Sequence, residues 1–172
     1  MVIRRFEKGD AAEVAALIQK TIKISNSKDY PSEYIERDVQ IFTPEYVVQR
    51  AGWTHFYVVC ANGMIVGCGA IGPYWDKTDE SSLFTIFVLP EYQGRGIGRA
   101  IIETLEQDEY FLRAKRIEIP ASITACSFYR KMGYDYKNGV DQVDKEGIYR
   151  LEKFRDTSDS GTNVQTYRGG CV

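Results

Sequence analysis

The stretch Val88-Leu89-Pro90-Glu91-Tyr92-Gln93-Gly94-Arg95-Gly96-Ile97-Gly98-Arg99 carries the strongest chemical signal in the chain. An apolar run ends, a glycine-dense turn follows, and a helical pattern begins. Glycine lets the backbone approach a ligand closely and adopt positive φ, so successive N–H groups can converge, and a helix start adds partial positive charge. That combination suits a phosphate or pyrophosphate. Arg95 and Arg99 can add charge-assisted contacts to phosphate oxygens. The P-loop pattern is not met, because no Gly-Lys-Ser/Thr follows. The dinucleotide pattern G-x-G-x-x-G is not met either, since Gly94, Gly96 and Gly98 are spaced two apart and lie mid-chain after a hairpin. A purely structural turn is the competing reading.

The elements that must position this turn follow from periodicity. Val2 to Phe6 reads as a strand, and Asp10 with Glu13 as a capping box opening a helix with apolar Val14, Leu17, Ile18 and Ile22. A second helix carries Ile35, Val39 and Phe42 with Pro31 near its start, and Thr43-Pro44 opens a short third one ending at Gly52. Trp53 to Cys60 and Met64 to Ile71 form a hairpin about Asn62-Gly63, which sets Ala61 opposite Met64, Cys60 opposite Ile65 and Tyr57 opposite Cys68. Leu83 to Val88 is almost continuously apolar, as a strand covered on both faces should be. The glycine turn then leads into a helix with Ile97, Ile101, Leu105 and Leu112 on one side. Arg116 to Ile119 is a short strand stopped by Pro120. Ser122 or Thr124 caps a late helix that ends at Gly133, and strands run through Tyr134 to Tyr136 and Ile148 to Lys153.

Two blocks together resemble a known family. Gln93-Gly94-Arg95-Gly96-Ile97-Gly98 looks like the Q/R-x-x-G-x-G/A signature of the GNAT superfamily of acyl-CoA N-acyltransferases. Ala121-Ser122-Ile123-Thr124-Ala125-Cys126-Ser127-Phe128-Tyr129-Arg130-Lys131-Met132-Gly133-Tyr134 is similar to that family's late helix. Their order and separation agree with the family, and the element order over residues 1–155 matches its fold. The expected fold is therefore an α/β (α+β) GNAT domain. Its mixed sheet has about six to seven strands, flanked by about four helices, and its two central parallel strands, Leu83 to Val88 and Arg116 to Ile119, splay apart.

The resemblance implies acetyl-CoA as cosubstrate, held in the gap between those strands. The amides of Gln93, Gly94, Arg95, Gly96, Ile97, Gly98 and Arg99 would hold the pyrophosphate, and exposed backbone at Phe87 and Val88 would pair with the pantetheine arm. An N–H near Val88 would polarise the thioester carbonyl. Tyr129 falls on the family's proton donor to the coenzyme sulfur; the plain alternative is a core tyrosine beside Phe128. Glu80 is the nearest match to the family's general base, although Ser81 and Ser82 stand closer to the strand, and Asp79 with a water chain is an alternative. Ala121 occupies a position where many relatives have an asparagine on the pantetheine, for which the hydroxyls of Ser122 or Thr124 can substitute. The implied reaction is transfer of acetyl to a primary amine, on a small molecule or peptide, by direct attack in a ternary complex. A non-catalytic acyl-CoA sensor is the alternative, and a nucleotide-binding fold of another class is a further rival. Many relatives dimerise, so a homodimer is open.

Bulk properties are consistent with this. The chain has 172 residues with 22 Lys+Arg against 24 Asp+Glu, a formal charge of −2, so nothing marks a nucleic-acid surface. It is 44% hydrophobic and 27% charged, an ordinary globular composition. No apolar run approaches the ~18 to 20 residues of a membrane span, and a cytoplasmic protein is expected. Cys60, Cys68, Cys126 and Cys171 form no C-x-x-C pair, so no metal site is expected. Strand alternation would place Cys60 and Cys68 on opposite faces, as reduced thiols. His55 has no evident orienting partner. Tyr74, Trp75, Asp76, Asp79 and Glu80 either wall the acceptor site or form a solvated loop. Residues 156–172, polar and glycine-rich, read as a flexible tail.

Overall fold

The computed structural model describes residues 1–155. The expected tail, 156–172 with Cys171, lies outside the described residues. Strand β1 (Val2–Arg5) leads into helices α1 (Ala11–Ser25), α2 (Ser32–Ile41) and α3 (Pro44–Ala51). Strands β2 (His55–Ala61), β3 (Met64–Pro73) and β4 (Glu80–Val88) follow, then α4 (Ile97–Leu105), α5 (Glu109–Arg113), β5 (Arg116–Ser122), α6 (Ile123–Lys131), β6 (Asp135–Tyr136) and β7 (Ile148–Phe154). Among the described residues the seven strands form one sheet in the order β1-β2-β3-β4-β5-β7-β6, in which only β4 and β5 run parallel.

Helices cover both faces of the sheet. On one face Val14, Leu17, Ile18 and Ile22 of α1 pack with Phe56, Val58, Cys68 and Ala70 of β2 and β3. On the other, Ile97, Ile101, Ile102 and Leu105 of α4 pack with Val59, Val66, Leu83 and Ile117. Close approach of α4 requires glycine beneath it: a Cβ on Gly69 would lie 2.5 Å from the Ile101 side chain.

Several local expectations change. The hairpin keeps Ala61↔Met64 and Cys60↔Ile65, but a bulge then shifts the register to Val59↔Gly67 and Val58↔Cys68. Because one extra residue reverses side-chain parity, Cys60 and Cys68 both pack on the α1 face instead of opposite faces. The single helix expected to reach Leu112 breaks in two, because the Asp108 side chain accepts the Tyr110 N–H at 2.9 Å and caps α5. Among the described residues there are thus six α-helices, more than the four expected. The capping box lies one turn early, with the Asp10 side chain accepting the Glu7 N–H, while Glu13 accepts the Ile65 N–H at 2.7 Å. Strand β5 runs through Pro120 to Ser122, paired along its length with β7 and, beyond Glu118, with nothing on its β4 side. A proline is tolerated on such an open flank.

Candidate active site

Parallel pairing of β4 with β5 stops after three residue pairs, Glu80↔Arg116, Ser81↔Ile117 and Ser82↔Glu118. Beyond them β4 continues to Val88 bonded only to β3, and the strands diverge. The vertex is clasped by charge. Arg116 reaches Glu80 at 2.6 Å, Glu118 at 2.9 Å and Glu152 at 3.0 Å, Lys137 reaches Glu118 at 2.7 Å, and Ser82 Oγ donates to the Glu118 carbonyl. A second device lies farther along β4. Cys68 faces Phe87 and Ala70 faces Phe84, so Thr85 and Ile86 together oppose Gly69 in a bulge. Thr85 has φ 53°, a conformation that a β-branched residue adopts only under strain, on the order of 1–3 kcal/mol.

The divergence opens a cleft of about 940 Å³. One wall is β4 from Leu83 to Val88, and Phe87 and Val88 are on it. The glycine turn forms the next wall: Gly94 and Gly96 have φ 74° and 81°, with open space where a Cβ would stand. In α4 the first intrahelical amide bond runs from Ala100 N–H to the Gly96 carbonyl, so the amides before it face outward without an intrahelical acceptor. Gly98 lets α6 seat against this turn, since a Cβ there would lie 3.1 Å from the Phe128 ring. The third wall is α6 with its N-cap Ser122, and it presents Ser122, Thr124, Phe128 and Tyr129.

Of the residues singled out from sequence, this cleft brings together Phe87, Val88, Gln93, Gly94, Gly96, Gly98, Arg99, Ser122, Thr124 and Tyr129. Several hydroxyls and amides there already have partners. Gln93 donates to the Val88 carbonyl at 3.0 Å and to Ser25 Oγ, bracing the strand end. Ser122 Oγ caps α6 by accepting the Ala125 N–H, and Thr124 donates to Asp29 at 2.7 Å. The side chains of Arg95 and Ile97 point away from the expected amide contacts: the Arg95 guanidinium lies 5.1 Å from the Tyr92 ring centre, and the Ile97 side chain is buried in the core. The Tyr129 side chain is buried, and its hydroxyl has no hydrogen-bond partner among the described residues. Burial, with a smaller contribution from Cys68, pushes its phenol well above the ordinary range, so it holds its proton at neutral pH.

Glu80 is not among the residues that line the cleft. It sits at the first residue of β4, at the closed end of the wedge, and its carboxylate is spent on Arg116. Tyr74 packs over Arg116 at 4.8 Å and Trp75 is 82% exposed, so the Gly72 to Glu80 loop does not wall the cleft. His55 gains a partner that sequence did not reveal: its Nδ1 lies 2.8 Å from buried Asp108, which also accepts from Tyr57, remote from the cleft.

The cleft also contains residues that sequence reasoning passed over. From α2 come Tyr34 and Asp38, from α3 Tyr46 and Arg50, and from the turn between α1 and α2 Tyr30. Tyr30 and Tyr34 stack at 4.4 Å, and their hydroxyls donate to the carbonyls of Gly147 and Glu146, tying α2 to the loop before β7. Asp38 is the acidic side chain among the lining residues. Burial raises its carboxyl above the ordinary value of 3.8, with Arg37 only partly opposing the shift. The spacing of four in Tyr34/Asp38 and Tyr46/Arg50 was available in the sequence, but the same spacing marks any solvated helix face. No group of three or more potential metal ligands occurs among the described residues, and none of their helices is long and apolar enough to cross a membrane.

Residues 52–136, which span the diverging strands and the glycine turn, match the family model described as Acetyltransferase (GNAT) domain. The chain belongs to the GNAT acetyltransferase family. It is 26% identical over 132 residues to the uncharacterized N-acetyltransferase YafP of Escherichia coli, a match covering 77% of this chain and 79% of YafP. It is 29% identical over 155 residues to the uncharacterized N-acetyltransferase MJ1207 of Methanocaldococcus jannaschii, covering 76% and 67% of the two chains. Among solved structures, the PaiA N-acetyltransferase of Thermoplasma acidophilum in complex with coenzyme A superposes with a TM-score of 0.76 at 17% identity, over 90% of this chain and 98% of that one. Rv2747 of Mycobacterium tuberculosis, solved with CoA and NLQ, does so with a TM-score of 0.63 at 19% identity, over 90% and 99%. The GNAT wedge is therefore the frame within which this chain's side chains act.

Proposed function

We propose that this protein transfers the acetyl group of acetyl-CoA to a primary amine by direct attack in a ternary complex. The observation that carries this reading is the unpaired flank of β4 beyond Ser82, which opens into one cleft together with the glycine turn and Tyr129. Outward amides at Gly94 to Arg99 suit the coenzyme's pyrophosphate, with Arg99 and Lys131, also on the cleft, adding positive charge. The free strand edge at Phe87 and Val88 suits the amide-rich pantetheine arm, much as an added strand would pair. That PaiA and Rv2747 were solved with the coenzyme supports the same assignment.

The chemistry follows from the side chains at hand. A protonated amine has no lone pair, so its proton must leave first; Asp38, whose carboxyl burial raises above its ordinary value, is the carboxylate on the cleft that can take it. The amine nitrogen then bonds to the thioester carbonyl carbon, the C–S bond breaks and the leaving sulfur receives the Tyr129 proton. The second proton, shed by the nitrogen as it becomes a neutral amide, passes through solvent to restore the Tyr129 phenol, and Asp38 returns its own proton to water. The test is thiol release from acetyl-CoA against a broad panel of amines. Tight coenzyme binding without acetylation of any amine would instead support the sensor reading.

Two outcomes are expected of variants. Gly96→Val should raise the acetyl-CoA KM about tenfold, because a β-branched residue at φ 81° costs ~1–2 kcal/mol and its bulk enters the phosphate cradle; steady-state kinetics checks this. Asp38→Asn should lower kcat/KM about tenfold and remove the acid limb of its pH profile, a limb set above 3.8 by the raised carboxyl. Glu80→Gln should leave that profile in place. Retention of the limb in Asp38→Asn would assign the base elsewhere.

A further inference from the structure

From Arg50 we infer that the amine acceptor carries a carboxylate, and that Arg50 is its anchor; this rests on the acetyl-transfer reading above. Arg50 lines the cleft from α3 with its guanidinium 4.9 Å from the Trp53 ring centre, 4.8 Å from Phe84 and 5.2 Å from Tyr46, and it donates one hydrogen bond to the Tyr46 hydroxyl. No carboxylate lies within ion-pair distance of it among the described residues, whereas Arg4, Arg116 and Arg150 each have at least one. Three rings surround the guanidinium, and the bond to Tyr46 uses only one of its donors. A planar, pre-oriented fork of that kind matches a carboxylate in two-point contact.

Position decides between the two anions the cleft can receive. Phosphate belongs at the glycine turn, beyond the far end of β4. Arg50 instead packs on Phe84, before the Thr85–Ile86 bulge, in the same cleft as Asp38 and Tyr34. Phe84 is three residues from Phe87, at most about 10 Å along a strand. An amine delivered near Phe87 with its carboxylate on Arg50 is therefore a small molecule, of the amino-acid type. Asp38, also on the cleft, complements its ammonium before proton loss. Aromatic Phe42, edge-on to both Tyr46 at 5.1 Å and Phe87 at 5.6 Å, lines the path between the two ends.

The experiment uses the full chain saturated with CoA, and reads the melting temperature on adding each of the common L-amino acids or its carboxamide. At least one amino acid should raise the melting temperature where its amide does not. The same acid-over-amide preference should appear in acetylation, with Arg50→Gln raising KM for the acid about thirty-fold and leaving the amide's KM unchanged. Arg50→Lys, which keeps the charge but loses the flat fork, should retain a weakened preference and decides the matter if Arg50→Gln fails to bind CoA. Amides matching or exceeding acids, no shift with any amino acid, or a preference indifferent to Arg50 would overturn the inference. Failure of the parent reading shows differently: CoA itself would not stabilise the wild-type protein, or no amine would release thiol from acetyl-CoA.

Discussion

Replacing Tyr129 by phenylalanine is expected to slow acetyl transfer about a hundred-fold while changing acetyl-CoA affinity little. The ring stays in place between α6 and the sheet, since Tyr129 is buried and packs against Phe128 at a centroid distance of 5.2 Å, so the wall of the cleft keeps its shape. What is lost is one O–H. Burial holds that phenol well above its ordinary pKa, which keeps it protonated but also unwilling to ionise in the resting enzyme. Its hydrogen bond strengthens only as negative charge develops on the sulfur beside it, so its contribution appears in the transition state and not in ground-state binding. Single-turnover kinetics with a slow and a fast amine, beside calorimetry of CoA binding, separates the two. An unchanged rate would remove Tyr129 from the chemistry and leave it as a packing residue.

The second large effect concerns stability. Arg116→Leu is expected to destabilise the fold by about 3 kcal/mol, read from urea unfolding, because it leaves Glu118 and Glu152 facing one another across β5 and β7 with Lys137 as the remaining cation. Glu118 is only 3% exposed, so water cannot replace the lost partner. The wild-type pH dependence carries the same information. Burial alone would push the Glu118 carboxyl up, but hydrogen bonds from Lys137 and Arg116 outweigh it and hold the group below its ordinary 4.5. A carboxyl with depressed pKa stabilises the folded state above the unfolded value, and that stabilisation disappears as pH falls from about 4.5 through the folded value. In Arg116→Leu the carboxyl loses one of the bonds depressing it, so the acid loss should begin from a lower plateau and be shallower. Since the same residues clasp the parallel pair of β4 and β5, CoA affinity measures whether the wedge still opens at its normal vertex.

Much of this was legible in the residues because it depends on local rules. Thr43 before Pro44 starts a helix by capping and a fixed φ, Gly133 at φ 89° ends one, and Asn62-Gly63 turns a hairpin, each within a few residues. The glycine turn was readable for the same reason, as its spacing dictates which backbone amides can converge. The run from Leu83 to Val88 misled in an instructive way. Its apolarity suggested burial on both faces, yet residues from Phe84 onward are only partly buried, because β5 has already diverged and they line the cleft. An apolar side chain facing a ligand and one facing a core look alike in a sequence.

What the chain's own order of residues determined was the wedge: one parallel strand pair, a glycine-rich turn at its mouth and a tyrosine on the late helix. Only the tertiary structure decided which charged groups meet there. Glu80 was next to the right strand and at the wrong end of it, while Asp38 and Arg50, far away in sequence, come to the cleft because α1 seats α2 and α3 across it. Distance along the chain measures covalent connection, whereas proton transfer and ion pairing act over a few ångströms of space, and only packing converts one into the other.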